Sequence, residues 1–303
     1  MNVSEMKNQP LVSVGMPVYN SETTIENAIL SILNQDYKSI ELIISDNSST
    51  DKTAEICRKF ANLDARIKFV RQDSNIGPTA NFEYVLTSSS GKYFMWAAGD
   101  DTRSSGFISA NLEALLENPN YIASTSPNIF DKDVNFENKE VRISLLGNRK
   151  SRFKQFLNDP HQTHGLFYSL VRIESLRECP WIRDLIFGWD WAIVLYLANQ
   201  GEINRTKSEV IVFGTAGFSR QNNIYLAHGL TGFKRIIPFS IFSKRVLGLI
   251  RTWPKNESFH IYLEVIWLNL KTLPLGYRLI RYFLGNVKKM IKAKLIALLG
   301  SRP

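Results

Sequence analysis

Short apolar runs alternate with helical patterns through the first 125 residues, and this alternation constrains the fold more than any other feature. The first run, Leu11–Met16, is rich in β-branched residues and ends at Pro17, which predicts a buried strand. The next segment spaces apolar residues three and four apart, as one face of a helix requires. The two patterns then repeat, which predicts strands at 40–45, 67–70, 93–97 and 121–124 and helices at 23–34, 53–61, 79–87 and 106–117.

Strands and helices that alternate at this pace predict an α/β fold, with a mostly parallel sheet flanked by helices. Ligands of such sheets bind beyond the carboxyl ends of the strands, so side chains that follow each strand are the candidates for a site.

The later chain is less regular. We predict a polar loop or small excursion over 127–150, a strand over 165–171, a helix over 189–199 and basic helices broken by prolines after 228.

Polar residues follow the first two predicted strands. Tyr19 could stack on a nucleobase, and Asn20 or Ser21 could cap the next helix, although a plain strand–turn–helix connection is the alternative reading. Asp46 could accept the imide proton of a pyrimidine. Asp51 is more simply explained as a helix N-cap.

The third and fourth strands are also followed by ligand-like groups. Arg71 is available to a phosphate, and Gly77–Pro78 predicts a turn into a helix. Asp100 and Asp101 are adjacent carboxylates at the end of a buried strand, which is costly unless they bind a cation. Hard oxygen ligands of this kind suit Mg²⁺ or Mn²⁺ carrying a diphosphate.

Together, these strand ends resemble family 2 glycosyltransferases of GT-A fold. The motifs are Pro17-Val18-Tyr19-Asn20, Asp46-Asn47-Ser48-Ser49-Thr50-Asp51, Asn75-Ile76-Gly77 and Gly99-Asp100-Asp101; the match covers residues 10–125 closely and reaches about 220 more loosely. The resemblance implies an inverting, metal-dependent enzyme that uses a UDP-, dTDP- or GDP-sugar. It implies that Asp100 and Asp101 are ligands of Mn²⁺ or Mg²⁺. The donor-binding residues that it implies are Pro17, Tyr19, Asn20, Glu22, Asp46, Ser48, Arg71, Asn75, Gly77, Gly99, Asp100 and His164.

One position departs from the family pattern. The family commonly has Asp-x-Asp-Asp at this strand end, and this chain has Ala98-Gly99-Asp100-Asp101. The carboxylate that usually faces the ribose is therefore absent, while the metal-facing Asp100 is kept. A catalytically inactive sugar-binding relative is the alternative to an active enzyme.

The second half of the chain offers a catalytic base. By the same resemblance, a carboxylate before an aromatic residue, about ninety residues past the metal motif, deprotonates the acceptor hydroxyl, and Asp190-Trp191 matches that pattern. The alternative is that Asp190 caps the following helix. His164 would contact donor phosphate or acceptor, or is merely solvated, and residues 217–220 are weakly similar to a loop that the family places over the donor.

The basic excess of the chain lies in its last quarter. Residues 228–303 hold 14 lysine and arginine residues against 2 acidic ones, whereas residues 1–227 hold 23 against 26. Residues 276–299 place apolar residues at helical spacing with lysine and arginine between them. This pattern is typical of a helix that lies on an anionic membrane surface, and a helix packed on the catalytic domain is the alternative.

These patterns divide the chain into a GT-A domain over 1–227, with a nucleotide-sugar half at 10–125 and an acceptor half at 126–227, and a basic helical region over 228–303. No stretch reaches the roughly 18–20 apolar residues of a spanning helix, and residues 1–10 lack a secretory apolar core. We therefore expect a cytoplasmic protein, peripheral on the inner face of the cell membrane. Its expected acceptor is a glycan or lipid-linked sugar of cell-surface polysaccharide or glycolipid assembly.

Other classes fit less well. The sequence MPVYNS follows the first strand, where a dinucleotide-binding oxidoreductase has GxGxxG. A nucleic-acid partner would explain the basic tail but not the strand-end carboxylates, so we expect none. Processive polysaccharide synthases share the domain, but they carry spanning helices and a Gln-x-x-Arg-Trp motif that this sequence lacks.

Overall fold

A computed structural model of the chain describes residues 9–131, 143–163, 165–184, 186–214 and 239–271. Its strands are β1 Val12–Val18, β2 Ile40–Asp46, β3 Ile67–Arg71, β4 Tyr93–Trp96, β5 Thr102–Arg103, β6 Tyr121–Thr125, β7 Asn128–Phe130, β8 Leu170–Arg172, β9 Glu202–Arg205 and β10 Ile211–Phe213. Its α-helices are α1 Ile25–Leu33, α2 Thr53–Leu63, α3 Pro78–Thr87, α4 Phe107–Glu117, α5 Arg149–Asn158, α6 Ile173–Arg177, α7 Trp189–Gln200, α8 Ser240–Ile250 and α9 Lys255–Lys271.

The main sheet has seven strands in the order β3-β2-β1-β4-β8-β6-β9. The first four strands of the chain are all parallel, with β1 between β2 and β4. Only β8 runs against its neighbours, β4 and β6. The predicted α/β class and mostly parallel sheet are therefore confirmed.

Helices cover both faces of this sheet. One hydrophobic core joins β1 to α1 and α4, and a second joins β4 to α3, α5, α7, α8 and α9. Because both faces are covered, every residue of β1 and β2 is buried. This double burial explains why these strands are continuous apolar runs in the sequence.

Two predictions for the middle of the chain are right only in part. The segment predicted as a polar loop contains β7, which pairs with β10 in a second sheet of order β5-β10-β7. The predicted strand over 165–171 is a 3₁₀ turn, Leu166–Tyr168, followed by the short β8. Three-residue strands are too short to show an alternating pattern, and their long-range partners alone define them.

The described C-terminal helices, α8 and α9, form a hairpin that packs on α5 and α7. The side chain of Asn269 donates to Ser243 Oγ at 2.6 Å and so links the two helices. Phe242 and Val265 lie in the same core as α5 and α7. No helix in the described ranges is long and apolar enough to cross a membrane, and residues 276–299 lie outside those ranges.

A buried carboxylate joins three strands at the amino edge of the sheet. Glu41 of β2 accepts hydrogen bonds from Ser13 of β1, from Lys68 Nζ of β3 at 2.6 Å and from the Ser90 amide before β4 at 2.7 Å. Burial alone would raise the pKa of Glu41, but these hydrogen bonds outweigh it and lower the pKa to about 2. The carboxylate therefore stabilises the edge opposite the candidate site.

We expect Glu41→Gln to reduce the free energy of unfolding at neutral pH by about 2 kcal/mol, because the pKa of Glu41 is lower in the folded chain than in the unfolded one. The contribution of Glu41 is complete above the unfolded pKa of about 4.3 and is lost as the pH falls toward 2. Urea unfolding at about pH 7 and about pH 3 measures this difference. Glu26→Gln, at an exposed position of α1, is the control, and equal stability of Glu41→Gln and wild type at pH 7 would contradict the assignment.

Candidate active site

The loops after β1 and β2 are held together by reciprocal hydrogen bonds. Asn20 Oδ1 accepts from the Thr50 amide at 2.9 Å, and Glu22 Oε2 accepts from the Lys52 amide at 3.0 Å. In return, the Glu22 amide donates to Asp51 Oδ2 at 3.1 Å. Asn20 and Glu22 thus shape the carboxyl edge of the sheet.

Helix capping is resolved differently for the two loops. The prediction that Asn20 or Ser21 caps α1 is wrong, because the N-cap is Thr24 and it makes no side-chain cap bond. The interpretation of Asp51 as the N-cap of α2 is also wrong, because the N-cap is Lys52. Asp51 still supports the start of the helix, since its Oδ1 accepts from the Thr53 amide at 2.9 Å. Tyr19 stands just beyond the buried Pro17 and is 47% exposed, so its ring is available for stacking.

Asp46 lies fully buried at the end of β2. Its carboxylate accepts from the hydroxyl and the amide of Ser49, and its Oδ2 lies 3.5 Å from Arg71 Nε. The half-exposed Arg71 also donates to the Ser49 carbonyl at 2.9 Å. Ser48 adopts a left-handed φ of 60°, which this tight turn imposes. Asp46 therefore organises the loop and presents Oδ2 on the side of Arg71.

The loop after β3 is built on two asparagines. Asn47 Nδ2 donates to Asn75 Oδ1 at 3.0 Å, and Asn47 Oδ1 accepts from the Ile76 amide at 2.8 Å. Asn75 Oδ1 also accepts from the Gly77 amide at 2.9 Å. Gly77 has a φ of 85°, a conformation that favours glycine, and turns the chain into α3. Asn75 and Gly77 thus set the path of this loop.

The turn after β4 carries the two adjacent carboxylates. Gly99 lies against the end of β1, because a Cβ at this position would be 3.1 Å from Val18 Cγ1. Asp100 is half-buried, whereas Asp101 is 4% exposed. Asp101 Oδ1 accepts from the Gly214 amide at 3.0 Å, and its buried Oδ2 has no hydrogen-bond partner among the described residues.

Burial and the charge of Asp100 raise the pKa of Asp101 to about 7, and the nearby Arg103 opposes this shift. Arg103 itself is buried, and its Nη2 donates to the Trp96 carbonyl at 3.0 Å. Arg103 was not predicted from the sequence. Its signal was a cation two residues past the acidic pair, shortly before a helix rich in apolar residues.

These features fit a divalent cation. A buried carboxylate oxygen that lacks a donor, beside a second carboxylate, is an arrangement that a positive charge would stabilise. No cluster of three or more His, Cys, Asp or Glu residues that could hold a metal ion occurs in the ranges that the structure describes. Phosphate and water oxygens would suit the remaining ligand positions, as is usual for Mg²⁺.

Asp190 shares an electrostatic neighbourhood with the acidic pair. Burial raises the pKa of Tyr168 well above its usual value, and the charges of Asp101, Asp100 and Asp190 raise it further. Tyr168, in the 3₁₀ turn before β8, was also missed by the sequence analysis. The alternative that Asp190 is the N-cap is wrong, because α7 begins at Trp189 and places Asp190 in its first turn.

The start of α7 is fixed by the C-terminal hairpin. The N-cap Gly188 has a left-handed φ of 76°, and a Cβ there would be 2.9 Å from the ring of Phe239. That ring stacks on Trp191 with centroids 5.2 Å apart. The chain just before α8 thus holds the turn that presents Asp190. His164 and residues 217–220, which the sequence analysis also singled out, lie outside the described residues.

Gly214 leaves no space for a side chain, because a Cβ would press on the Asp100 carbonyl oxygen and lie 2.7 Å from Asp100 Cβ. We expect Gly214→Ala to lower the free energy of unfolding by about 2 kcal/mol through overpacking. Gly248→Ala is the control, since a Cβ at this position in α8 meets no atom within 4 Å. It should be neutral or stabilising by up to about 1 kcal/mol. Thermal unfolding of both variants measures the contrast, and equal melting temperatures would contradict it.

Comparisons with known proteins place this arrangement in a family. The model of "Glycosyl transferase family 2" matches residues 13–178. The chain is 39% identical to an uncharacterized glycosyltransferase of Haemophilus influenzae over 111 residues, and this alignment covers 37% of this chain and 44% of that protein. It is 36% identical to the GalNAc(5)-diNAcBac-PP-undecaprenol beta-1,3-glucosyltransferase of Campylobacter jejuni over 180 residues, and this alignment covers 59% of this chain and 57% of that protein. The chain thus spans about half the length of these relatives.

Solved structures share the fold. S. aureus TarS 1–349 in complex with UDP aligns with a TM-score of 0.56 at 15% identity, over 86% of this chain and 87% of that one. The mannosyltransferase PcManGT from Pyrobaculum calidifontis, in complex with GDP-Man and Mn²⁺, aligns with a TM-score of 0.51 at 15% identity, over 97% and 88%. The family model covers more than half of the chain, and the sheet, the loop motifs and these folds agree with it: the protein is a member of glycosyl transferase family 2.

Proposed function

We propose that this protein is an active glycosyltransferase that moves a sugar from a nucleotide-sugar donor to an acceptor hydroxyl, with inversion at the anomeric carbon. The observation that carries the proposal is electrostatic: the charges of Asp100, Asp101 and Asp190 all raise the pKa of Tyr168, so the three carboxylates share one neighbourhood beside the loops at the carboxyl edge of the sheet. Inverting transfer needs a base for the nucleophile and charge compensation for the leaving group, and these carboxylates suit the two roles.

The donor would lie across the loops after β1 to β4. The exposed ring of Tyr19 is suited to stacking on the base, and Asp46 with Arg71 offers a carboxylate for the N–H edge of uracil, thymine or guanine. Structures of the same fold hold UDP-GlcNAc or GDP-Man, which supports a nucleotide-sugar as the donor. That surface would be shaped by residues of the loops described above, namely Pro17, Asn20, Glu22, Ser48, Asn75, Gly77 and Gly99.

Asp100 would be the direct metal ligand, because it is the more accessible carboxylate of the pair, and Asp101 would contribute through its unpartnered Oδ2. When bound, Mn²⁺ or Mg²⁺ would offset the charge of the departing diphosphate. The Gly214 amide donates a hydrogen bond to Asp101, and the positive charge of Arg103 acts on the same carboxylate. The missing carboxylate at Ala98 supports the alternative of an inactive donor-binding relative, and hydrolysis of nucleotide-sugar by the purified protein would exclude that alternative.

Asp190 would act as the general base. It is exposed in the first turn of α7, where an acceptor can reach it. As its carboxylate takes the acceptor proton, the acceptor oxygen bonds to the anomeric carbon from the face opposite the phosphate. In the same step the bond between the anomeric carbon and the phosphate oxygen breaks, and the nucleoside diphosphate leaves with its electron pair. His164 would lie near the acceptor or the donor phosphate.

A lipid-linked acceptor on the inner face of the cell membrane is the class we favour. The Campylobacter jejuni relative bears an undecaprenol-linked acceptor in its name, and the basic residues of segment 276–299 suit an anionic surface. This arrangement would place the protein peripherally on the membrane as part of polysaccharide or glycolipid assembly.

Asp100→Ala should abolish transfer and weaken the metal-dependent part of nucleotide binding, because it removes a carboxylate ligand. Calorimetry of UDP and GDP with Mn²⁺ and with a chelator measures this effect, and thermal unfolding checks that the variant is folded. In wild type the affinity should rise when Mn²⁺ is present. Equal affinity with and without metal would exclude the metal assignment.

Asp190→Asn should reduce turnover by about 10²–10⁴-fold, because it removes basicity at nearly constant size. Donor affinity should change little, since the base touches the acceptor. Glu174→Gln is the matched control: Glu174 is also an exposed carboxylate in the first turn of a helix, so the substitution removes the same favourable interaction with the helix dipole. If Asp190→Asn retains near wild-type turnover, another group is the base, such as His164 or Asp184, a half-buried carboxylate six residues before Asp190 in the chain.

A further inference from the structure

Helix α9 is apolar on two opposite faces. Its inner face places Ile261, Val265 and Leu268 in the core. At 100° per residue, the opposite face carries Phe259, Tyr262, Leu263, Ile266 and Leu270. Phe259, Tyr262 and Ile266 are 47%, 36% and 55% exposed. We call these five residues the outer face of α9.

This outer face differs from ordinary exposed apolar residues. Leu63 of α2 and Leu116 of α4 are each the only large, exposed apolar residue of their helices, and single exposures of this kind need no explanation. The outer face of α9 is a continuous stripe along about 17 Å of helix. Ile241 of the neighbouring α8 is also exposed. Contiguous apolar surface of this kind marks a binding face.

The charges around this stripe have one sign. Lys244, Arg251 and Lys255 are exposed on the α8–α9 hairpin. The two acidic residues of α9, Glu257 and Glu264, share a separate flank, because seven residues separate them and Glu257 pairs there with Arg149 of α5 at 3.5 Å. Within residues 239–271, no acidic side chain belongs to the outer face.

Charge also decides between possible occupants. The sequence from 272 to 303 adds seven lysine and arginine residues and no acidic one. If this segment, or the same hairpin of a second copy of the chain, covered the outer face, it would bring like charges together, which is unfavourable. An anionic lipid surface has the opposite charge and accepts the apolar side chains between its headgroups.

We propose that the outer face of α9 is a membrane-docking surface that inserts between the headgroups of anionic lipids. The helix lies in the plane of the interface, with Lys244, Arg251 and Lys255 at the level of the headgroups. This surface is distinct from segment 276–299. It would serve the lipid-linked acceptor of the proposed function, because α8 and α9 share one core with α7, which carries Asp190.

Cosedimentation of the full chain with phosphatidylcholine vesicles that contain about 30% phosphatidylglycerol tests the proposal. The double variant Phe259→Gln/Ile266→Gln should lower the vesicle partition coefficient about tenfold or more, at an unchanged melting temperature. The matched control, Leu63→Gln/Leu116→Gln, should bind vesicles as wild type does. Binding should weaken in pure phosphatidylcholine and at high salt.

Equal vesicle binding by the α9 variant and wild type would overturn the proposal, as would a wild type that binds no vesicles. A melting temperature lowered in the α9 variant but not in the control would also overturn it, because the face would then be covered by protein. Size-exclusion chromatography would identify that cover as a second copy if the oligomeric state changed, and as the chain's own segment if it did not. The assay contains no donor or acceptor, so its failure and the failure of the transferase proposal are distinguishable.

Discussion

The parallel pairing of β1 with both β2 and β4 is the constraint on which the rest of the site depends. It places Val18 beside Asp46 and brings the turn that carries Asp100 against the end of β1. Parallel strands have their carboxyl ends at one edge, so four loops that are distant in sequence meet there. Glu41 stabilises the opposite edge by joining the same strands.

That edge holds polar groups that a simple hydrophobic core would exclude. Asp46 is fully buried but satisfied by Ser49 and Arg71, whereas Asp101 and Arg103 keep buried atoms that have no partner among the described residues. Buried polar atoms without partners destabilise a fold, so their presence marks a place where structure serves binding. Asp101 is hydrogen-bonded to Gly214, and Arg103 is hydrogen-bonded to Trp96. These two bonds come from different parts of the chain and together hold the acidic turn in place.

The second core connects the chemistry to the C-terminal hairpin. Trp96 of β4 stacks on Phe167, the neighbour of Tyr168, and Phe239 before α8 stacks on Trp191, the neighbour of Asp190. Aromatic contacts of this kind are well defined in geometry and bury large areas. Asp190 and the outer face of α9 therefore belong to elements that share one core. The boundary predicted at residue 228 separates basic from balanced sequence, and it stays a prediction as a domain division.

The sequence by itself determined the strands β1 to β4, the helices between them and the carboxylates at their ends. These features depend on local periodicity and turn residues, which neighbours along the chain already express. The tertiary structure alone decided that Asn20 and Glu22 hold a second loop, that β7 and β10 form a sheet, and that Arg103, Tyr168 and Gly214 surround Asp101. Each of these contacts joins residues far apart in the chain, or reflects burial that composition does not reveal. The tertiary structure also decided which face of α9 is left outside the core. The sequence shows two apolar stripes on this helix, and only the packing of one of them against other helices leaves the other exposed.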